Sequence, residues 1–101
     1  MNVTLKHLQV FKTIIDCGSY HKAATSLELA QPTLTAAVKN LERELGVSLI
    51  DRSTRNIKFT PAGKELYTHL PAIFERLETA LNSAKDVAYG GGGSISAVSY
   101  T

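Results

Sequence analysis

Between Pro32 and Gly46 the apolar residues Leu34, Val38, Leu41 and Leu45 recur at steps of four, three and four. That rhythm is one stripe of an α-helix, with proline in the first turn, where its missing N–H is no loss, and glycine at the stop. At about 100° per residue, the opposite face carries Pro32, Ala36, Lys39 and Arg43, flanked by Thr33, Thr35 and Asn40. It is polar and basic, with no carboxylate at its centre. Such a helix has to lie on an apolar body and present its other side to water or to an anionic partner.

The preceding residues supply the body. Leu5, Leu8, Phe11 and Ile15 form a helical stripe over residues 5–16, with Thr4 as N-cap and Cys17-Gly18 as terminator. Ser19 then caps a second helix of about two turns carrying Tyr20, Ala23, Ala24 and Leu27. After the link Glu28-Leu29-Ala30 comes the basic-faced helix, so two short helices meet at a tight turn in the helix-turn-helix pattern. Beyond Gly46 the period changes. Leu49 and Ile50 form a short apolar run, Ser53-Thr54-Arg55-Asn56 is turn chemistry, and Ile57 and Phe59 alternate with Lys58 and Thr60. The segment predicts a small hairpin with Arg52 and Arg55 near its tip.

Thr60-Pro61 is an N-cap followed by proline at the first helical position, and the spacing predicts a helix over 61–88, roughly 42 Å long at 1.5 Å per residue. Its stripe runs Ala62, Leu66, Leu70, Ile73, Leu77, Leu81, Ala84, Ala88, interrupted by Pro71, where a bend is expected. This is more stripe than a 60-residue body covers. Leu66, Leu70, Ile73, Leu77 and Leu81 are therefore expected to form a seam with a second copy, the alternative being a core within one chain. Gly90-Gly91-Gly92-Gly93 reads as a flexible linker and Ser94 to Thr101 as the start of a strand without a sheet. The expected organisation is a body over 1–60, a linker helix over 61–88 and a hinge over 89–101, with the chain a fragment or a protein lacking a C-terminal domain.

Composition removes other classes. A chain of 101 residues is one small domain, and its 44% hydrophobic and 20% charged residues are ordinary for a folded one. The single Cys17 closes no intrachain disulfide, and with His7, His21 and His69 it shows no metal-ligand spacing and no base placed beside a nucleophile. Neither an enzyme nor a cofactor is indicated. Net charge is only +2, but residues 22–64 hold seven Lys and Arg against four Asp and Glu, whereas residues 65–101 hold two against four. No stretch reaches membrane-spanning length and no cationic segment leads into an apolar run, so a cytoplasmic protein is expected.

The ordered set Gly18-Ser19-Tyr20, Ala23-Ala24, Leu27, Gln31-Pro32, Leu41-Glu42, Leu45-Gly46, Leu49, Arg52, Thr60 and Ala62-Gly63 closely resembles the N-terminal region of LysR-type transcriptional regulators over about residues 3–88. The resemblance implies a mainly α fold: a winged helix-turn-helix followed by a long linker helix that pairs with its twin in a homodimer. It also implies a periplasmic-binding-protein-like effector domain, of which only the beginning could lie here and through which a small-molecule inducer would act. Higher oligomers belong to the full-length protein. Departures from the family pattern bear on readout: Ala30 stands where Ser is common, Ala36-Ala37 replaces a frequent polar pair, Thr35 replaces Ser, and Ile50 replaces a common Phe.

On this reading the partner is double-stranded DNA. The helix over about 31–45 enters the major groove and the wing over about 49–60 meets the backbone or minor groove. Gln31, Pro32, Thr33, Thr35, Ala36 and Lys39 form the expected contact face, Gln31 and Thr35 carrying most base readout, while Arg52 and Arg55 meet phosphate or the minor groove. The plainer alternatives are helix capping and solvation for the threonines and Lys39, and an ion pair with Glu42 or Glu44 for Arg52. Two competing functions stand beside DNA binding: a helical protein-interaction module, and another winged-helix class such as the molybdate-responsive regulators.

Overall fold

A computed structural model describes residues 3–53 and 56–89; Thr54, Arg55 and the expected hinge from Gly90 to Thr101 lie outside the described residues. The order of elements is α1 (Leu5–Cys17), α2 (Tyr20–Leu27), α3 (Gln31–Leu45), β1 (Ile50–Asp51), β2 (Lys58–Phe59) and α4 (Pro61–Ala88). This is a winged helix-turn-helix with a long helix attached.

Local chemistry accounts for most boundaries. The Thr4 hydroxyl accepts the His7 N–H at 3.2 Å while His7 Nδ1 accepts the Thr4 N–H at 3.4 Å, a reciprocal cap in which histidine stands in for the usual Glu or Gln. Gly18 closes α1 in the left-handed conformation at φ 78°, donating to the Ile14 carbonyl at 2.9 Å. Ser19 Oγ caps α2 by accepting the Lys22 N–H at 3.0 Å. The turn into α3 is less relaxed, because Glu28 occupies φ 56°, a conformation that crowds any Cβ.

The core forms where α1 packs on both α2 and α3. Val10, Phe11 and Ile14 come from α1, Ala23 from α2, Leu34, Ala37, Val38 and Leu41 from α3, and Leu49 and Ile50 from the base of the wing. Fully burying each of the larger side chains stabilises by about 1.5–3 kcal/mol. The expected α1 stripe is displaced: Leu5 is 44% exposed and Ile15 half-buried, while Val10 and Ile14 are buried. Covered by two helices rather than one, α1 buries a wider face, and the spacing read from sequence followed one edge of it. Ala37, at 7% exposure, belongs to the core, so of the Ala36-Ala37 pair that departs from the family pattern only Ala36 stands on the outer face.

β1 and β2 pair antiparallel with Ile50 opposite Phe59 and Asp51 opposite Lys58. Two residues per strand make a small sheet, and its attachment to the helices matters more than its own ladder. The chain divides into two compact units, the first ending at Leu70 and the second beginning at Pro71. α4 continues helically through Pro71, which cannot donate to the Tyr67 carbonyl, so the boundary falls where the helix lacks one backbone bond. Leu70, expected at an intermolecular seam, is 0% exposed within the single chain and belongs to the core of the first unit. No described helix is long and apolar enough to cross a membrane.

Candidate nucleic-acid interface

α3 has two sides. Leu34, Ala37, Val38 and Leu41 face the core, whereas Gln31, Pro32, Thr33, Ala36, Lys39 and Arg43 are exposed. Thr35 and Asn40 are half-buried at the margins, and the Thr35 hydroxyl donates to the Gln31 carbonyl at 3.4 Å, a bond within the helix itself. The N-cap Ala30 offers no side-chain acceptor to the first turn. That end of α3 therefore carries the partial positive charge of exposed N–H groups beside Gln31. Pro32, Ala36 and Lys39 thus share one accessible face, Gln31 and Thr33 are exposed at the first turn on either side of it, and Thr35 lies half-buried at its edge.

The wing is fastened to α3 by one carboxylate. Glu42 Oε2 accepts the backbone N–H groups of Leu49 at 2.8 Å and Ile50 at 3.3 Å, and the Ser48 hydroxyl at 3.3 Å. Arg52 lies against the same group, its Nη1 3.4 Å from both oxygens, and its Nη2 reaches the Tyr20 hydroxyl at 3.5 Å. These last distances describe an ion pair with loose hydrogen-bond geometry. The Glu42 side chain is 15% exposed and that of Arg52 45%, so Arg52 is held at the wing base while keeping an accessible edge. Of the two expected wing contacts, Arg52 is found in the alternative ion pair with Glu42, and Arg55 lies outside the described residues.

Further bonds set where the wing begins and ends. Asp51 accepts the Ser53 hydroxyl at 2.6 Å and the Ser53 N–H at 2.9 Å, and these two bonds hold its carboxyl below the usual carboxylate range. At the other end, Thr60 donates its hydroxyl to the Ser48 carbonyl at 2.6 Å and its N–H to the Leu49 carbonyl at 3.0 Å. The same hydroxyl oxygen accepts the Gly63 N–H at 3.0 Å and so caps α4. Gly63 is buried against Leu49, just before β1, and Phe59 of β2. A Cβ there would stand 2.1 Å from the Leu49 carbonyl oxygen and 2.9 Å from Phe59 Cβ.

α4 is tied to α1 as well. The Tyr67 hydroxyl donates to Asp16, whose other oxygen accepts Lys12 Nζ at 2.7 Å, and the Tyr67 ring stands 5.7 Å from that of Phe59 at 42°. Burial works to raise the Asp16 carboxyl, but hydrogen bonds from Lys12 and Tyr67 outweigh it and leave the group below its ordinary value of 3.8. The bond to Asp16 raises both Lys12 and Tyr67 above theirs. Ser48, Tyr20 and the Asp16–Tyr67 pair were not visible as functional residues in the sequence, and Glu42 was visible only as a partner for Arg52, because each acts through a partner on another element.

On α4, Leu66 and Leu77 are half-buried, while Ile73 and Leu81 are exposed, Leu81 at 58%. Among the described residues no group of three His, Cys, Asp or Glu is placed to hold a metal ion.

Comparison with known proteins places this geometry. A family model described as bacterial regulatory helix-turn-helix protein, lysR family, matches residues 5–64. The HTH-type transcriptional regulator BenM of Acinetobacter baylyi is 34% identical over 84 residues, which cover 83% of this chain and 28% of BenM. The nitrogen assimilation regulatory protein nac of Escherichia coli is 38% identical over 94 residues, covering 93% of this chain and 31% of nac. The chain thus spans about three tenths of the length of these curated relatives. Among solved structures, a BenM DBD in complex with catB site 1 DNA superposes with a TM-score of 0.83 at 34% identity, over 86% of this chain and 97% of that one. A mutant of Corynebacterium glutamicum OxyR superposes with a TM-score of 0.80 at 41% identity, over 89% of this chain and 29% of that one.

Proposed function

Because this chain belongs to the lysR family of bacterial regulatory helix-turn-helix proteins, we infer that it is the DNA-binding part of a transcriptional regulator. The observation that carries the reading is the exposed face of α3, where Pro32, Ala36, Lys39 and Arg43 stand on the side opposite the buried Leu34, Val38 and Leu41, with Gln31 and Thr33 exposed at the first turn. Gln31 has the donor and acceptor geometry to read an adenine edge in the major groove, and Lys39 the charge to meet a phosphate. The uncapped N-terminus of α3 adds a favourable field for an adjacent phosphate. Pro32 and Ala36 keep the face low enough for close approach, and Thr35 contributes from its edge. The wing supplies Arg52 and Arg55 to the backbone or minor groove, Arg52 through the edge that its pairing with Glu42 leaves open.

Two copies joined through Leu66, Ile73, Leu77 and Leu81 of α4 would present two α3 helices to an interrupted inverted repeat. In the whole protein a small-molecule inducer would act through an effector domain beyond these residues. The site is one for binding DNA in the cytoplasm rather than for catalysis. A fluorescence titration on duplex DNA at several salt concentrations tests the reading: affinity falls steeply with salt, and Lys39→Ala lowers the salt slope by about one. An affinity insensitive to salt would instead support a protein-interaction module.

A further inference from the structure

Pro32, Ala36, Lys39 and Arg43 fall within a sector of about 60° around α3, and all four are exposed. Their chemistry changes along the helix. Lys39 and Arg43 carry charge in its second half, and Gln31 is exposed beside the unpaired N–H groups of the first turn, so both ends of the face offer donors. Between them stands Ala36, a single methyl with nothing to donate or accept. Pro32, one turn earlier, likewise has no polar side-chain atom and no N–H. Thr35 adds no donor there, because its hydroxyl donates to the Gln31 carbonyl at 3.4 Å within the helix. The Glu42 carboxylate is engaged at the wing, where it accepts the Leu49 and Ile50 N–H groups.

We propose that Ala36 determines specificity by packing on the C5-methyl group of a thymine, so that the bound sequence carries thymine at one fixed position opposite the middle of α3. The proposal rests on the reading of α3 as the helix that enters the major groove. Every base edge there carries hydrogen-bonding atoms, and the thymine edge alone adds a methyl group. A guanine, adenine or cytosine edge set against Ala36 exchanges its water for carbon, and a polar group that loses water without gaining a partner is penalised. Thymine sets carbon against carbon. Burying one methyl-sized group favours it about fourfold. Lys39 and Arg43 do not make this choice when they meet phosphate, because phosphate contacts carry no sequence information.

The test starts from a duplex selected by the wild-type chain from a random-sequence library. Its thymines are replaced one at a time by uracil, which keeps both hydrogen-bonding atoms and removes only the methyl. At one position the replacement is expected to weaken wild-type binding about fourfold. Each replacement is then repeated with Ala36→Gly, which removes Cβ, and with Ala36→Gln, which keeps a good helix former at an exposed site and sets a polar amide against the methyl. In both variants the difference between thymine and uracil at that position should fall below twofold, and circular dichroism should show both folded. If no thymine is sensitive to its methyl, or if either variant keeps the fourfold difference, the proposal is overturned while the reading of α3 as the major-groove helix stands. If the wild-type chain selects no sequence over random DNA, that reading fails and the proposal with it.

Discussion

Replacing Gly63 by alanine should destabilise the fold, against the ordinary rule that alanine is better than glycine inside a helix by about 1 kcal/mol. The new Cβ would stand 2.1 Å from the Leu49 carbonyl oxygen, 3.0 Å from the Leu49 carbonyl carbon and 2.9 Å from Phe59 Cβ. Two of these three atoms are backbone, so relief requires α4 to move off the base of the wing by more than about 1 Å to bring the oxygen to van der Waals distance. The same carbonyl accepts the Thr60 N–H at 3.0 Å, and the Thr60 hydroxyl bridges to Ser48 at 2.6 Å, so the movement strains the cap of α4. Overpacking costs about 1–3 kcal/mol and a weakened hydrogen bond about 0.5–1.5 kcal/mol, against which helix propensity returns about 1 kcal/mol. The net loss is about 1–3 kcal/mol, or roughly 5–20 °C in Tm for a unit of this size. Thermal unfolding followed by circular dichroism measures it, with Ser83→Ala on exposed α4 as the control for propensity alone. A Gly63→Ala protein as stable as the wild type, or more stable, would refute the close approach of α4 to the Leu49 carbonyl.

Removing the Glu42 carboxylate should loosen the wing, since Glu42→Ala leaves the Leu49 and Ile50 N–H groups without their acceptor; a loss of about 1–3 kcal/mol is expected in urea unfolding. Glu28→Gly should raise the urea midpoint, by an amount equivalent to about 0.5–1 kcal/mol, because glycine relieves the crowding at φ 56° at some expense of chain entropy. The Asp16 link has a defined acid limit. Its folded value is depressed, so its contribution is complete above the ordinary value of 3.8 and is lost as pH falls through the lower folded value. The raised Lys12 and Tyr67 contribute fully below their ordinary 10.5 and 10.0 and lose that contribution as pH rises through the higher folded values. The stability difference between wild type and Tyr67→Phe should accordingly stay constant from pH 5 to pH 9 and shrink below pH 3.8.

What the sequence disclosed was mostly local. Gly18 and Gly46 as left-handed stops, Ser19 as a cap, Pro32 inside the first turn and the α4 bounds at 61 and 88 depend on residues within a turn of each other, and the structure has them there. The outer face of α3 was legible for the same reason, one helical period sorting Pro32, Ala36, Lys39 and Arg43 from Leu34, Val38 and Leu41, while Gln31 was placed by its position at the start of the helix and by the resemblance. Tertiary roles were not. Glu42 reads along the chain as one of two carboxylates that could pair with Arg52, and only the return of the chain at Leu49 gives it two backbone donors. Asp16 and Tyr67 are 51 residues apart, beyond any spacing rule. Leu70 was assigned to an outward seam because periodicity gives an angle around a helix but not how many neighbours cover it. Gly63 did carry a signal, since a glycine inside a strong helical pattern marks a close backbone approach.

That α3 reads DNA sequence is tested most directly by comparing Gln31→Ala with the wild type on two duplexes, one selected by the wild-type chain and one of random sequence, at fixed salt. The Gln31 side chain is exposed at the first turn of α3, so its removal leaves the core intact. The expected loss is about 1–3 kcal/mol on the selected duplex, through the missing pair of contacts to a base edge, and distinctly less on the random one. Equal losses on the two duplexes, or none on either, would contradict the assignment of α3 as the helix that reads the bases.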